Sequence, residues 1–166
     1  MTLPAGSGPV SPPLIVAGAG IGGLTAALAL AGKGFDVVLC ERAAEFAEVG
    51  AGLQLSPNAT LVLHALGILE KLKQTATPVQ SIDLVSASSG DILLSLPTAK
   101  AAGTDRSPYL AVHRADLQAA LLEKAETNPR IKILTGHTFE DARQDAQGVE
   151  AEFMADNRLV RLEGAA

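Results

Sequence analysis

Apolar and polar positions near the start of the chain follow the pattern of a strand, a helix and a second strand. Leu14–Ala17 is a short, uninterrupted apolar run, which is typical of a strand buried on both faces of a parallel sheet. A glycine-rich turn covers Gly18–Gly23, and the Ala- and Leu-rich segment Leu24–Ala31 predicts a helix that ends near Gly32 and Gly34. Phe35–Cys40 predicts the second parallel strand. This order predicts a right-handed crossover unit of the Rossmann type.

The middle of the chain has a mixed pattern that predicts short helices and a hairpin. Ala43–Leu55 shows no regular period and is interpreted as a loop or an irregular extended segment. Ser56 and Pro57 favour a helix start, because Ser caps N–H groups and Pro is tolerated at the first helical position; this helix should stop at Gly67. The other elements predicted here are a short helix over Leu69–Gln74, strands over Ser81–Ser86 and Asp91–Leu96, and a loop over Thr98–Pro108.

The last part of the chain predicts one more helix among several strands. Leu117, Leu121 and Leu122 recur at helical spacing within Ala115–Ala125. Strands are predicted over Tyr109–Val112, Ile131–Leu134, His137–Arg143, Val149–Met154 and Arg158–Leu162, the last three pairing antiparallel. The chain as a whole therefore predicts an α/β fold in which a Rossmann-like parallel sheet carries a small antiparallel β layer. We expect one domain over residues 14–166, preceded by a flexible leader over residues 1–13.

Composition and charge narrow the classes of partner. A net charge of −5, with 3% aromatic residues and no Trp, argues against a nucleic-acid or acidic-membrane surface. Cys40 is the single cysteine, so no internal disulfide can form and a reducing, cytoplasmic compartment is predicted. The leader lacks the basic start of a signal peptide, and no run of about 18 residues has the composition of a membrane span. Neither metal-ligand spacing nor a G-x-S-x-G nucleophile motif occurs, so no metal and no catalytic residue are predicted.

The glycine-rich turn carries the first candidate chemistry, because Gly18, Gly20 and Gly23 match the pattern G-x-G-x-x-G. The first glycine permits a tight turn out of the strand, the second lets a pyrophosphate approach the backbone, and the third allows close packing of the helix. The N-terminus of the helix then offers N–H groups and a partial positive charge to phosphates. The remaining contact positions predicted in this loop are Ala19, Ile21 and Gly22.

The context of the motif supports a dinucleotide site. Glu41 follows the second apolar strand at about the distance expected for a carboxylate that binds a ribose. Ala27 and Gly34 are small residues, expected where the helix and a strand fit closely together. A glycine turn in an unrelated α/β domain, and a solvated acid at a strand end, are the competing interpretations. Taken alone, the motif and Glu41 fit an NAD or an FAD protein.

Four motifs in this order carry a resemblance to a known family: Gly18–Gly23, Glu41 with Arg42, Gly50–Asn58, and His113–Leu117. Together they resemble the class A flavoprotein aromatic hydroxylases, single-component FAD monooxygenases similar to salicylate hydroxylase and 3-hydroxybenzoate 6-hydroxylase. The resemblance covers nearly the whole chain after the leader. It shifts the expected cofactor from a choice between NAD and FAD to FAD.

The resemblance implies a role for each matching residue. Glu41 would bind the adenosine ribose, with Arg42 near the adenine and ribose. Phe139 would lie beside the adenine, and Arg114 would reach the ribityl and pyrophosphate region. The segment beside the isoalloxazine ring contains Gly52, Leu53 and Gln54.

Several of these residues also have a plain structural interpretation. Arg114 lies between a predicted strand and a predicted helix, where a guanidinium can meet phosphate or ribityl oxygens, or can simply be a surface arginine. Gln54 could hydrogen-bond near the ring or be a polar loop residue. In a relative that hydroxylates a hydroxynicotinate a histidine base occupies this position, and glutamine cannot act as that base. His64 is interpreted as structural, His113 as orienting Arg114, and His137 has no assigned partner.

The family resemblance also implies an activity. NAD(P)H would reduce the FAD, and the reduced flavin would take O2 and pass one oxygen atom to a small phenol- or benzoate-like ring. Family members are about twice as long or more and need a later Asp-Gly and a later Gly-Asp segment, neither of which follows the predicted strand over Arg158–Leu162. We therefore expect an N-terminal fragment that is not catalytically competent alone, and that forms a homo-oligomer or meets a complementing C-terminal half. The alternatives are another FAD oxidoreductase, such as an epoxidase or a reductase, and a non-catalytic dinucleotide-binding module.

Overall fold

The computed structural model describes residues 12–46, 51–98 and 106–165. Its elements in chain order are β1 (Leu14–Ala17), α1 (Ile21–Gly32), β2 (Val37–Cys40), β3 (Gly52–Leu55), α2 (Pro57–Ala65), α3 (Leu69–Leu72), β4 (Thr77–Pro78), β5 (Ser81–Val85), β6 (Ile92–Pro97), β7 (Leu110–His113), α4 (Arg114–Glu126), β8 (Ile131–Leu134), β9 (Thr138–Gln144), β10 (Val149–Ala155) and β11 (Arg158–Gly164). Two compact units contain them. The first lies within Met1–Phe46 and Ala125–Ala166, and the second within Ala47–Lys124.

A parallel sheet with the strand order β1-β2-β8 forms the centre of the first unit. Helix α1 packs against it, and the buried residues of that helix are Leu24, Ala27, Leu28 and Ala31. The two strands and the helix between them are the crossover unit that the apolar pattern predicts. Ala27 is completely buried, as expected for a close fit between the helix and the sheet.

An antiparallel sheet with the order β11-β10-β9 forms the second layer of the first unit. Phe153 and Ala151 of β10 pack with Cys40 of β2, and all three are buried. Partly buried apolar residues surround this cluster, namely Ile15, Val38, Leu134 and Leu162. The predicted antiparallel layer is therefore confirmed, and it shares a core with the parallel sheet.

The second unit contains an antiparallel sheet with the order β3-β7-β4 and a separate hairpin of β5 and β6. Thr60 of α2 is completely buried, and its hydroxyl donates a hydrogen bond to the Pro108 carbonyl oxygen at 2.8 Å. Leu117 and Leu121 of α4 are buried, as their helical spacing predicts. Among the described residues, no helix is long and apolar enough to cross a membrane.

Most predicted elements are present with ends that move by one to three residues, and three interpretations need correction. Helix α1 begins at Ile21, so Gly22 and Gly23 are helical and the loop is shorter than predicted. Gly52–Leu55 is a strand rather than an irregular segment, because it pairs with β7. Gly34 is exposed at φ +94°, and a Cβ there would meet nothing within 4 Å. Its role is the left-handed backbone after the helix, not close packing.

Some predictions fall on positions outside the described residues. These are most of the leader over residues 1–13, Gly50 at the start of the Gly50–Asn58 motif, and most of the predicted loop over Thr98–Pro108. The short strand β4 has no counterpart among the predicted elements, since a two-residue strand leaves no periodic signal. The assignment of residues 14–166 to one FAD-binding domain stays a prediction.

Candidate cofactor-binding site

The glycine loop of the first unit is held in a tight turn at the end of β1. Gly18 adopts φ +96°, and its N–H donates to the Cys40 carbonyl oxygen at 2.6 Å, which ties the loop to the end of β2. A Cβ added at Gly23 would lie 1.8 Å from the Gly18 carbonyl oxygen. Gly18 is therefore required for its backbone conformation and Gly23 for its lack of a side chain.

The loop leaves open space where an anion could approach the start of α1. A Cβ added at Gly20 or at Gly22 would meet no atom within 4 Å. Gly20 is the N-cap residue of α1, no side chain caps this end, and the first turn contains no acidic residue. The first N–H groups of a helix and its dipole favour negative charge, so this end of α1 suits a pyrophosphate.

Glu41 follows β2 and reaches back to the glycine loop. Its Oε2 accepts a hydrogen bond from the Ala19 N–H at 2.7 Å, and its Oε1 accepts one from the Ala43 N–H at 3.0 Å. Each carboxylate oxygen has further lone pairs that could accept ribose hydroxyl protons. The structure thus places this carboxylate, by two backbone hydrogen bonds, beside the predicted phosphate loop.

A cleft of about 370 Å³ opens next to Glu41, within the size range of small-molecule sites. Phe139 is about half exposed and meets the buried Phe153 edge to face, with ring centroids 5.7 Å apart. The cleft combines aromatic, cationic and anionic side chains, which suits a planar base that carries a polyhydroxyl sugar. Its lining residues are Ala17, Gly18, Glu41, Arg42, His137, Thr138, Phe139 and Phe153.

A larger cleft of about 600 Å³ in the first unit contains none of the predicted site residues. It lies between Pro12 and the turn that joins β9 to β10, and its charged lining residues are Arg143, Asp145, Glu150 and Glu163. The smaller cleft is the better candidate, because the glycine loop and Glu41 meet there.

The predicted flavin-end residues belong to the second unit. Gly52, Leu53 and Gln54 lie on β3, whose antiparallel partner β7 ends one residue before Arg114. The Arg114 N–H donates to the Ala51 carbonyl oxygen at 3.2 Å, and the side chain of Arg114 is exposed at the start of α4. The pairing of β3 with β7 therefore brings the two motifs side by side. The roles of these residues toward FAD stay predictions.

Gln54 has one partner that the sequence did not indicate. The Tyr109 hydroxyl donates a hydrogen bond to the Gln54 Oε1 at 3.2 Å. Tyr109 immediately precedes β7, so the register of β3 against β7 is what makes this contact possible. A spacing of 55 residues carries no local signal that could have predicted it.

His137 is a lining residue of the smaller cleft that the sequence analysis left without a partner. Its Nδ1 lies 2.7 Å from the Thr135 carbonyl oxygen, and its ring packs against Phe153. The sequence signal that could have pointed to His137 as a cleft residue is its position just before the strand that carries Phe139. By contrast, His64 is half buried in α2 and His113 is exposed at the end of β7.

The other groups considered for a chemical role are the Cys40 thiol and clusters of metal-binding side chains. Burial raises the pKa of the Cys40 thiol to about 11, so this thiol is protonated at neutral pH. In the part of the chain that the structure describes, no group of three or more His, Cys, Asp or Glu side chains could hold a metal ion.

The fold and the cleft define an α/β protein of the dinucleotide-binding class. The chain belongs to the FAD binding domain family, whose model matches residues 12–161. It is 39% identical to 3-hydroxybenzoate 6-hydroxylase of Polaromonas naphthalenivorans over 142 residues, which are 85% of this chain and 36% of the relative. The corresponding Klebsiella oxytoca protein is 38% identical over 136 residues, 81% of this chain and 34% of the relative.

Solved structures agree with this assignment. HpxO of Klebsiella pneumoniae, solved with FAD and uric acid, is 27% identical with a TM-score of 0.75, and the match covers 92% of this chain and 37% of HpxO. The p-nitrophenol 4-monooxygenase of Pseudomonas putida shares the fold with a TM-score of 0.82 at 21% identity, over 92% of this chain and 39% of that protein. The resemblance found in the motifs is thus confirmed. The chain spans about a third of the length of the relatives it matches.

Proposed function

We propose that this FAD-binding domain serves an NAD(P)H- and O2-dependent monooxygenase that hydroxylates a small phenol- or benzoate-like compound. The observation that carries the proposal is the Glu41 carboxylate, hydrogen-bonded to the Ala19 N–H beside a cleft that also contains Phe139 and Arg42. The relatives named 3-hydroxybenzoate 6-hydroxylase and 3-amino-4-hydroxybenzoate 2-monooxygenase support the aromatic substrate class.

The first unit would hold the ADP half of the cofactor. Gly18–Gly23 and the start of α1 would bind the pyrophosphate, since open space lies in front of Gly20 and Gly22. Glu41 would accept hydrogen bonds from the adenosine ribose, and Phe139 and Arg42 would contact the adenine. Ile21 would contribute its backbone N–H, and Ala19, whose N–H donates to Glu41, would line the loop.

The second unit would contact the flavin end. Gly52 and Leu53 would lie along the isoalloxazine ring, with Gln54 oriented by the Tyr109 hydroxyl. Arg114 would meet ribityl or phosphate oxygens, a role that suits a fork of charged N–H donors. Bound FAD would supply the electron transfer and oxygen chemistry, while these residues bind and orient it. A glutamine at position 54 holds no proton-accepting charge, so it would orient a ligand rather than act as a base.

We also propose a cellular compartment for this chain and a need for further polypeptide in the reaction. The single, buried Cys40 supports a reducing compartment, the cytoplasm. Because the chain spans about a third of its relatives, we propose that hydroxylation needs further polypeptide, a complementing half or a second copy. FAD binding without hydroxylated product is therefore the expected result for this chain with NADH or NADPH and 3-hydroxybenzoate.

Flavin titration of a Glu41 variant tests the cofactor assignment. Glu41→Ala should weaken FAD binding about tenfold or more, because it removes the acceptor for the ribose hydroxyls and the anchor of the Ala19 N–H. The measurement is quenching of flavin fluorescence on titration with protein. Glu163→Ala is the matched control, since it removes the same charge from an exposed position outside this cleft.

Binding of FMN, as a second ligand, tests which part of FAD Glu41 contacts. FMN lacks the adenosine monophosphate part of FAD, so it should bind more weakly than FAD and be insensitive to Glu41→Ala. Equal affinity of the wild-type and Glu41→Ala chains for FAD would reject the ribose role of Glu41. Failure of the wild-type chain to take up FAD at any concentration would reject the proposed site.

A further inference from the structure

We propose that His137 selects adenine over other purines in the cleft of the first unit, by accepting a hydrogen bond from the exocyclic amine of the base. This inference rests on the proposed function, because it assumes that the cleft holds adenosine. The sequence pattern indicates no role for this histidine, and the family resemblance implies the neighbouring aromatic residue Phe139 as the adenine contact. The geometry around the imidazole points to a more specific part for His137.

The tautomer of the ring follows from one contact. The His137 Nδ1 lies 2.7 Å from the Thr135 carbonyl oxygen, and a carbonyl oxygen can only accept a hydrogen bond. The Nδ1 must therefore carry the proton. In the neutral ring the proton is then absent from Nε2, which is left as a hydrogen-bond acceptor.

The orientation of the ring is fixed by a second contact. The imidazole packs edge-on against Phe153, with centroids 6.4 Å apart and an interplanar angle of 65°. Phe153 is completely buried, so the surface against which the imidazole rests belongs to the core. Two restraints of different kinds thus hold a side chain that lines a ligand-sized cleft.

The residues beside His137 in the cleft would contact the other parts of the adenosine. Phe139 offers a half-exposed ring to the flat face of a base, and Glu41 offers oxygens to the sugar. A flat aromatic contact accepts any purine, because every base has a π-face. Selection among purines needs a polar atom at the edge of the base, and His137, whose Nε2 is a hydrogen-bond acceptor, is one of the residues that line this cleft. Adenine presents an amine donor at C6, whereas hypoxanthine presents a carbonyl acceptor there.

The experiment compares ADP with inosine 5′-diphosphate, which differ at that edge of the base. We expect the full chain to bind ADP about tenfold more tightly than inosine diphosphate in calorimetric titrations at pH 8. Inosine diphosphate is disfavoured because its C6 carbonyl oxygen and the His137 Nε2 are both hydrogen-bond acceptors. His137→Phe keeps an aromatic ring against Phe153 but removes the acceptor. It should weaken ADP binding and leave inosine diphosphate nearly unchanged, so the ratio of affinities falls toward one.

Three controls keep the outcomes distinct. His64→Phe makes the same substitution in α2 of the second unit and should leave the ratio unchanged. Circular dichroism melts show whether each variant folds, and His137→Gln, which offers both a donor and an acceptor, should bind the two nucleotides about equally. If wild-type chain binds ADP but His137→Phe leaves the ratio unchanged, the selection role is overturned while the adenosine site stands. If neither nucleotide binds the wild-type chain, the adenosine site itself is overturned.

Discussion

Single atoms decide much of the geometry of the phosphate loop. The hypothetical Cβ at Gly23 falls 1.8 Å from a backbone oxygen of Gly18, a contact that no side-chain rotation can relieve. A Cβ at Gly22, one residue earlier on α1, would meet nothing within 4 Å. Adjacent glycines of the same motif therefore differ completely in what they require.

Alanine substitutions should expose this difference. Gly23→Ala should destabilise the fold by about 1–3 kcal/mol, because the loop or the helix must shift to make room. Gly22→Ala should leave stability unchanged or raise it by about 0.5–1 kcal/mol, because alanine favours the helix that this residue occupies. Urea unfolding followed by circular dichroism gives both values. Equal destabilisation by the two substitutions would contradict the close approach of Gly18 to α1.

Cys40 illustrates a residue whose burial controls its chemistry. Desolvation raises the pKa of its thiol to about 11 from an ordinary value of 9.0. A raised pKa means that the folded chain holds this proton more tightly than the unfolded chain. The resulting stabilisation is complete below about pH 9 and is lost as the pH rises toward 11.

Two measurements follow for Cys40. At pH 8 the native chain should react with iodoacetamide much more slowly than the urea-unfolded chain, because the thiol is both buried and protonated. The urea midpoint should fall between pH 9 and pH 11, and the fall should be smaller in Cys40→Ala. Rapid alkylation of the native chain would show that the layer of β9, β10 and β11 does not cover this strand.

At the scale of elements, the crossover unit and the β3–β7 sheet were predictable to different degrees. The β1–α1–β2 unit follows from an apolar run, a glycine turn and a helical composition, all within a few residues of one another. The sequence of β3 predicts a loop or an irregular extended segment, because its pattern is short and includes a glycine. Pairing with β7 makes it a strand, and β7 begins more than fifty residues later in the sequence.

One face of the hairpin of β5 and β6 is apolar. Ile82 pairs with Leu96 and Leu84 with Leu94, so these four side chains share one face. The Ser95 hydroxyl contacts the Asp83 carboxylate on the other face. All four apolar side chains are exposed within the described part of the chain. An exposed apolar face of this kind favours association of proteins.

At the scale of the whole molecule, this hairpin should affect the oligomeric state. We expect the purified chain to self-associate as its concentration rises, and Leu94→Lys to shift it toward monomer by placing a charge on the apolar face. Sedimentation velocity over a range of concentrations measures the effect. Ser95→Lys adds the same charge to the polar face and should change the association much less. A chain that stays monomeric at all concentrations would contradict this expectation.

The glycine loop and Glu41 of the candidate site were predicted from the sequence, but the full set of its side chains was not. Gly18, Gly20, Gly23 and Glu41 were found because a motif with a known mechanism fixes their spacing. His137 and the Tyr109–Gln54 hydrogen bond were missed, because neither forms part of a local pattern. The family membership that the motifs suggested was confirmed over residues 12–161.

Most of the strands and helices, the tight phosphate loop and the FAD-binding family could be predicted from the sequence alone, because each depends on near neighbours or on a fixed spacing. Tertiary contacts were needed to know which strands pair, since a period of two is the same whichever partner a strand meets. They also bring Glu41 and Phe139, nearly a hundred residues apart, to one cleft. That convergence depends on the packing of the antiparallel layer over Cys40, and no short stretch of the chain specifies it.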